Sequence, residues 1–217
     1  MLTADKKIAE EVERIFHFYN DNYKTGNYKH LIVSPFFMRK RFAHFINKEI
    51  EFAKEGKPSG IILKMNSLVD EELIGKLYEA SNAGVKIKLI IRSICSIVPG
   101  VKGLSENIEA ISIVDKYLEH HRIFIFTHGG NEKYFISSAD WMLRNLDMRS
   151  EVAVPIHDKD LQQELKRVVE ILWTDNIKAR LINKSQDNQF RSSYDKQRVR
   201  AQEDVYKFLR NVKSTEK

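Results

Sequence analysis

Between residues 30 and 92 the chain alternates short unbroken apolar runs with longer stretches whose apolar residues recur three and four apart, and few folds accommodate that order. Leu31 to Val33, Ile61 to Met65 and Val85 to Ile91 read as buried strands. Met38 to Lys54 reads as a helix, as does the stretch after Asp70, which puts Leu73, Ile74, Leu77 and Tyr78 on one side; Gly56 and Gly84 are placed to end the two helices. Strand, helix, strand, helix, strand is the pattern of parallel strands joined by right-handed crossovers, so an α/β fold is expected. Ligands of such sheets sit beyond the carboxyl ends of the strands, where Ser34, Asn66 and Arg92 are expected to converge in a pocket.

The flanks differ in character. Upstream, Asp5 to Tyr19 spaces Ile8, Val12, Ile15, Phe16 and Tyr19 as one apolar helix face, followed by the turn-like DNYKTGNYK. Downstream, Ala110 to Val114, Arg122 to Phe126, Tyr134 to Ser137 and Glu151 to Ile156 are strand candidates without helices between them, so antiparallel pairing is expected, with THGGNEK as a hairpin loop. A helix returns from Asp160 to Trp173. The polar NKSQDNQFRSSYDKQR is expected to be a mobile loop before a short helix near Glu203 to Leu209. The expected organisation is a helical lead-in over 1–29, a mixed-sheet domain with helices on both faces over 30–182, and a loosely held tail over 183–217.

Charge narrows the partner without naming it. Thirty-six lysines and arginines against 30 acids give a net charge of +6, which favours an anion; nucleic acid, polyphosphate and anionic lipid all fit. No apolar run approaches a membrane span and no apolar leader opens the chain. The single cysteine, Cys95, cannot pair internally, so a cytoplasmic, reducing location is expected.

Of seven histidines, His17, His30, His44 and His157 have no clustered partners. His120-His121 lies between Glu119 and Arg122 just before a strand, and alternation places His120 and Arg122 on one face with His121 opposite. A guanidinium beside an imidazole disfavours a metal cation but suits phosphate, which it can grip bidentately while the imidazole exchanges a proton or phosphoryl group. The SSAD stretch, Ser137 to Asp140, is read either as exposed backbone N–H groups for phosphate oxygens or as a capped helix start, with Ser138 or Asp140 as cap. VPGVKGLSEN, with Lys102 at its tip, is read either as a phosphate-proximal loop or as a surface turn.

The stretches KMNSLVDEELIGKLYEASNAGVKIKLIIRSIC, PGVKGLSENI, SIVDKYLEHHRIFIF and YFISSADWMLRNLDMRSEVAVPI, closed by ILWTDNIKARLI as a helix, resemble in order the C-terminal region of the polyphosphate kinases over about residues 2–182. The resemblance implies a phospholipase-D-like α/β fold and an enzyme that reversibly moves the terminal phosphate of ATP onto polyphosphate through a phosphohistidine, with Mg2+. It implies His120 as the catalytic histidine of the second of two related subdomains and Arg92 as a nucleotide-phosphate arginine. Arg122, Lys64, Asn66, Ser138, Asp140 and Arg144 complete the expected ATP- and phosphate-binding set, with no metal ligand expected among them. The histidine that usually carries the phosphoryl group belongs to the family's first subdomain, so residues 1–29 are expected to be the tail of that subdomain and Met1 a truncated start. The chain is then expected to bind ATP or polyphosphate weakly without turning ATP over, its partners being the rest of the kinase and further copies in a homo-oligomer. Where the family has glycine, cysteine and glycine, this chain has Ser93, Ser96 and Ser137, small-for-small changes in loops.

Two other classes remain in view. A phospholipase-D-type phosphodiesterase needs histidine, lysine two later and aspartate seven after the histidine; here those slots hold His120, Arg122 and Thr127. A non-catalytic polyanion-binding module would show salt-dependent binding without turnover.

Overall fold

The computed structural model describes residues 3–21, 26–191 and 197–215 of the chain, with side chains described to residue 212. Eight strands form one mixed sheet. In chain order they are Ile32–Ser34 (β1), Gly60–Met65 (β2), Lys86–Ile91 (β3), Ile108–Ile113 (β4), Arg122–Phe126 (β5), Lys133–Ser137 (β6), Glu151–Ile156 (β7) and Ala179–Ile182 (β8). The helices are Lys6–Asn20 (α1), Met38–Lys54 (α2), Glu71–Asn82 (α3), Lys159–Thr174 (α4) and Ala201–Thr215 (α5). Across the sheet the order is β1-β7-β6-β5-β2-β3-β4-β8. β2, β3 and β4 are parallel neighbours and every other pairing is antiparallel.

Period-two alternation divides the sheet residues between two cores. On one face Leu63, Leu89, Phe124 and Phe135 meet Phe42 and Ile46 of α2 and Leu73 and Leu77 of α3. On the other, Ile90, Ile111, Ile123 and Ile125 meet Val169 and Leu172 of α4 and Ala201 of α5. The lead-in helix α1, capped by Asp5 through the N–H groups of Lys7 and Ile8, lays Ile8 and Ile15 over Leu31 and Val33. Glu11, 2% exposed, binds the backbone N–H groups of Lys29, His30 and Leu31 and so fixes the entry to β1.

Helix boundaries follow the local signals: Asp70 caps α3 and Asp158 caps α4, while Gly56 and Gly84 take positive φ just past α2 and α3. Strand partners do not follow local signals, and four expectations change. β1 does not continue the parallel group; it pairs with β7 at the far edge, so β7, β6 and β5 separate it from β2, roughly 19 Å at strand spacing. Ser34 accordingly leaves the expected pocket, its buried hydroxyl donating to the carbonyl of Arg149 at 2.8 Å. β4 pairs parallel with β3 rather than antiparallel. The closing helix stops at Thr174, and the following residues add β8 beside β4, because the fully buried Asp175 carboxylate turns the chain by accepting the N–H groups of Ile177, Lys178 and Ala179.

The expected loose tail also changes. Residues 183–191 return along β8, where Leu181 N–H donates to Gln189 and Arg191 N–H to Ala179, and α5 is twice as long as expected and packed into the second core. The turn expected over Asp21 to Lys29 and the loop expected over 183–198 lie partly outside the described residues, at 22–25 and 192–196.

Phe42 is fully buried and its ring meets those of Phe124, Phe126, Phe135 and Trp141. Phe42→Ala is expected to cost about 3–5 kcal/mol, read from the urea midpoint, against under ~0.5 kcal/mol for the exposed Lys102→Ala. Equal midpoints for the two variants would contradict the assignment of Phe42 to the centre of the core.

Candidate functional site

The carboxyl ends of β2 and β3 deliver Asn66 and Arg92 to one edge of the sheet. β5 runs the opposite way beside β2, so the residues that enter it, His120 and His121, arrive at the same edge, and β6 brings in Ser138 and Asp140 as it leaves. Asn66 organises the group. Its backbone N–H donates to Asp140 Oδ1 at 2.8 Å, its Oδ1 accepts from Arg92 Nε at 2.9 Å, and its Nδ2 faces His120 Nδ1 at 3.5 Å. Arg92 Nη2 lies 3.5 Å from His120 Nε2. A neutral imidazole has one acceptor nitrogen, so one of these two approaches is a hydrogen bond and the other sets two donors face to face. Both are long, and the exposed ring can exchange either contact for an incoming oxygen.

The arginine beside the imidazole is therefore Arg92, not Arg122. Arg122 Nε and Nη2 each reach an Asp140 oxygen at 3.0 Å, and Nη1 donates to the His120 carbonyl at 2.8 Å. This fork is occupied, so Arg122 braces the loop and holds no free bidentate grip for phosphate. Burial alone would raise the Asp140 carboxyl, yet the Arg122 bonds and the Asn66 N–H hold it below the ordinary carboxylate value. Asp140 caps no helix: its oxygens are spent on Arg122 and Asn66.

Lys64 lies beneath this layer, 3% exposed, donating to the His121 carbonyl at 2.9 Å. Burial pushes its pKa down to about 8, Glu119 opposes the shift, and Arg92 and Arg122 add to it. Burial, with Lys64 and Arg122, pushes His121 down to about 3, so that ring is neutral near pH 7. The Ser138 hydroxyl accepts from Val152 N–H at 3.1 Å and pairs with Glu151. Arg144 is exposed in the short π-helical turn Arg144–Met148 and lines a groove with Arg39, Asp70 and Asp147, apart from the His120 contacts. Lys102 is displaced further: its loop has run back to the amino-terminal edge, where Val98 N–H binds Tyr78 Oη and Asn107 binds Ser81 before β4 starts. Thr127 is at that far edge too, bonded to the Gly60 carbonyl, so the diesterase's third position is a strand's length from His120.

What the sequence reading missed is the part played by α5. Arg200 grips Asp115 at 2.8 and 2.7 Å, and Gln202 takes both the N–H and the carbonyl of Tyr117 at 2.7 Å each. Ala201 N–H donates to the buried Asp175 at 2.7 Å. The segment leading into His120 is thereby pinned to the first turn of the C-terminal helix. Partners 85 positions apart leave no local pattern to find.

No group of three potential metal-ligating side chains occurs among the described residues. Of the carboxylates near His120, Asp140 has both oxygens on Arg122 and Glu119 is set against Lys64, so this donor set does not fit a protein-held Mg2+.

Residues 31–202 match the family model "Polyphosphate kinase C-terminal domain 2". The chain is 44% identical over 216 residues to the polyphosphate kinase of Escherichia coli K12 and 46% over 212 residues to that of Vibrio cholerae, covering 100% and 98% of itself but only 31% and 30% of theirs. It spans about a third of the length of the curated relatives it matches. The crystal structure of the Porphyromonas gingivalis polyphosphate kinase superposes with a TM-score of 0.94 at 42% identity, over 98% of this chain and 33% of that one. A phospholipase D family member, Nuc from Salmonella typhimurium, superposes at 0.51 with 16% identity, over 70% of this chain and 96% of that one, a likeness of fold alone.

Gln202→Ala leaves two Tyr117 backbone groups without partners, an expected cost of about 1–2 kcal/mol, and should move the His120 imidazole signals in a 1H–13C spectrum while those of His157 stay in place. Unmoved His120 signals would show that α5 does not set the position of that ring. Lys64 releases its proton near pH 8 when folded and near its ordinary 10.5 when unfolded. Between those values the unfolded chain holds more protons, so stability rises with pH. Urea unfolding at about pH 7.5 and about pH 9.5 should show that rise in the wild type and its loss in Lys64→Met; parallel behaviour of the two proteins would refute it.

Proposed function

The chain belongs to the polyphosphate kinase family, and from that premise we propose that its His120 edge binds the phosphates of ATP and polyphosphate for reversible phosphoryl transfer, ATP + polyP(n) to ADP + polyP(n+1). The observation that carries this is the half-buried Arg92, held by Asn66 through Nε with its Nη2 3.5 Å from the exposed His120 ring. A guanidinium fixed before the substrate arrives stabilises charge developing on phosphoryl oxygens without reorganising.

In the proposed reaction the terminal P–O bond of ATP breaks as a P–N bond forms to a histidine and ADP leaves. The terminal oxygen of polyphosphate then takes the phosphoryl group and frees the ring. Following the family scheme, the acceptor histidine comes from a companion phospholipase-D-like unit, and His120 faces it across the phosphates. Magnesium is proposed to enter with the nucleotide rather than on carboxylates of this chain. The proposed setting is the cytoplasm, where ATP is at hand and Cys95 stays reduced, within a homo-oligomer of the longer kinase. No helix among the described residues is long and apolar enough to cross a membrane.

Calorimetric titration with ATP tests the reading. Arg92→Ala is expected to weaken binding tenfold or more, about 1.4 kcal/mol, and Lys102→Ala, on the opposite edge, to leave it within about twofold. ADP formation by the chain alone is expected to be undetectable. Robust turnover abolished by His120→Ala would overturn the division of labour and make His120 the acceptor itself.

A further inference from the structure

A cavity of about 390 Å³ opens on the flank of the sheet away from His120, among the entry to β1, the middle of α2, the start of β6, the end of β7 and the first turn of α4. That volume lies within the range of small-ligand sites. Its wall carries Lys29, Arg41, Lys133 and Lys159, together with His30 and His157. The only carboxylate lining it, Glu132, is already taken by Lys166 at 2.9 Å and Tyr134 at 2.6 Å. Among the described residues none of the four cations makes an ion pair. Two are aimed by neutral acceptors: Arg41 donates to the Lys29 carbonyl at 3.4 Å and Lys159 to Gln162 Oε1 at 3.0 Å. Glu11 holds the backbone of Lys29 and His30 in place, so part of the wall is preformed.

Like charges gathered around one cavity repel one another, and a bound polyanion would turn that repulsion into attraction. Three of the four are lysines, whose ammonium groups act as mobile point charges, where arginine forks would fix one phosphate geometry. Such a wall suits a uniform chain that must slide past more than a single clamped group.

We propose that this cavity is a second anion site that holds inorganic condensed phosphate away from the reacting end. The inference rests on the reading that the chain handles polyphosphate at the His120 edge. It adds a holding point on the other side of the sheet, so that a long chain is gripped at two places while its end reaches Arg92. The strands between the two places span about 20 Å, so long chains gain from the second grip and short ones do not.

The test titrates the 217-residue chain with a polyphosphate of several dozen units, with tripolyphosphate and with ATP, at two salt concentrations. Arg41→Gln/Lys133→Gln is the first variant; Lys29→Gln/Lys159→Gln, at two exposed positions, is an independent second one should the first fail to fold. Either is expected to lower affinity for the long chain about tenfold and to flatten its salt dependence, with ATP affinity unchanged. Long-chain affinity that is intact in these variants but lost in Arg92→Ala would overturn the second site and leave the proposed function standing. ATP and long-chain affinities that survive Arg92→Ala would instead sink the reading of the His120 edge, while the cavity variants still decide the cavity. An equal loss of ATP and long-chain binding in the cavity variants would make the cavity a nucleotide site and overturn the proposal, as would a wild-type chain that binds no long polyphosphate.

Discussion

The Asp140 carboxylate holds the candidate site together. It joins the exit of β6 to the end of β2 through Asn66 N–H and to the start of β5 through Nε and Nη2 of Arg122. Charge-assisted bidentate pairs are among the stronger protein hydrogen bonds, and this one is largely screened from water, its side chains 16% and 10% exposed. Removing one partner of such a pair would strand the other, a cost of about 3–5 kcal/mol for a fully buried case. With Asp140 in place, Asn66 presents its amide to Arg92 and His120, and Arg122 is drawn off to brace the His120 carbonyl. One structural ion pair thus frees a different arginine for ligand.

The sheet explains why these groups meet. A parallel pair ends two strands at one edge, and an antiparallel neighbour begins a third strand there, so residues from 66, 92 and 120 converge without a long excursion of backbone. The fourth support comes from the chain's far end. α5 buries Ala201 and Gln202 against the second core and ties down the segment from Asp115 to Tyr117, so packing energy in a helix remote in sequence is converted into the position of one imidazole.

The two edges of the sheet have opposite electrostatic designs. At the His120 edge Arg122 is paired with Asp140, leaving the half-buried Arg92 and the exposed ring for an incoming anion. Among the described residues the cations of the Lys29–Lys133 cavity form no ion pair, and the one acid lining it is held by Lys166 and Tyr134. A paired network fixes geometry, which transfer of a group demands; an unpaired cluster supplies attraction, which retention of a polyanion demands.

By itself the sequence determined the periodic elements and their ends. The apolar runs of β2 and β3, the caps Asp70 and Asp158 and the glycines past α2 and α3 act over a few residues, so each could be read where it stood. The same locality placed Asn66, Arg92 and His120 at strand termini, and the ordered motifs pointed to the family. Only the tertiary structure decided which strands are neighbours, sending β1 to the far edge and making β4 parallel, because strand pairing depends on how several amphipathic faces close over one core. It also decided which arginine meets His120: Arg122, two residues away, pairs with Asp140 eighteen positions on, and Arg92, twenty-eight positions back, takes its place. Ion-pair partners at such separations are chosen by the packed sheet, and no spacing along the chain encodes them.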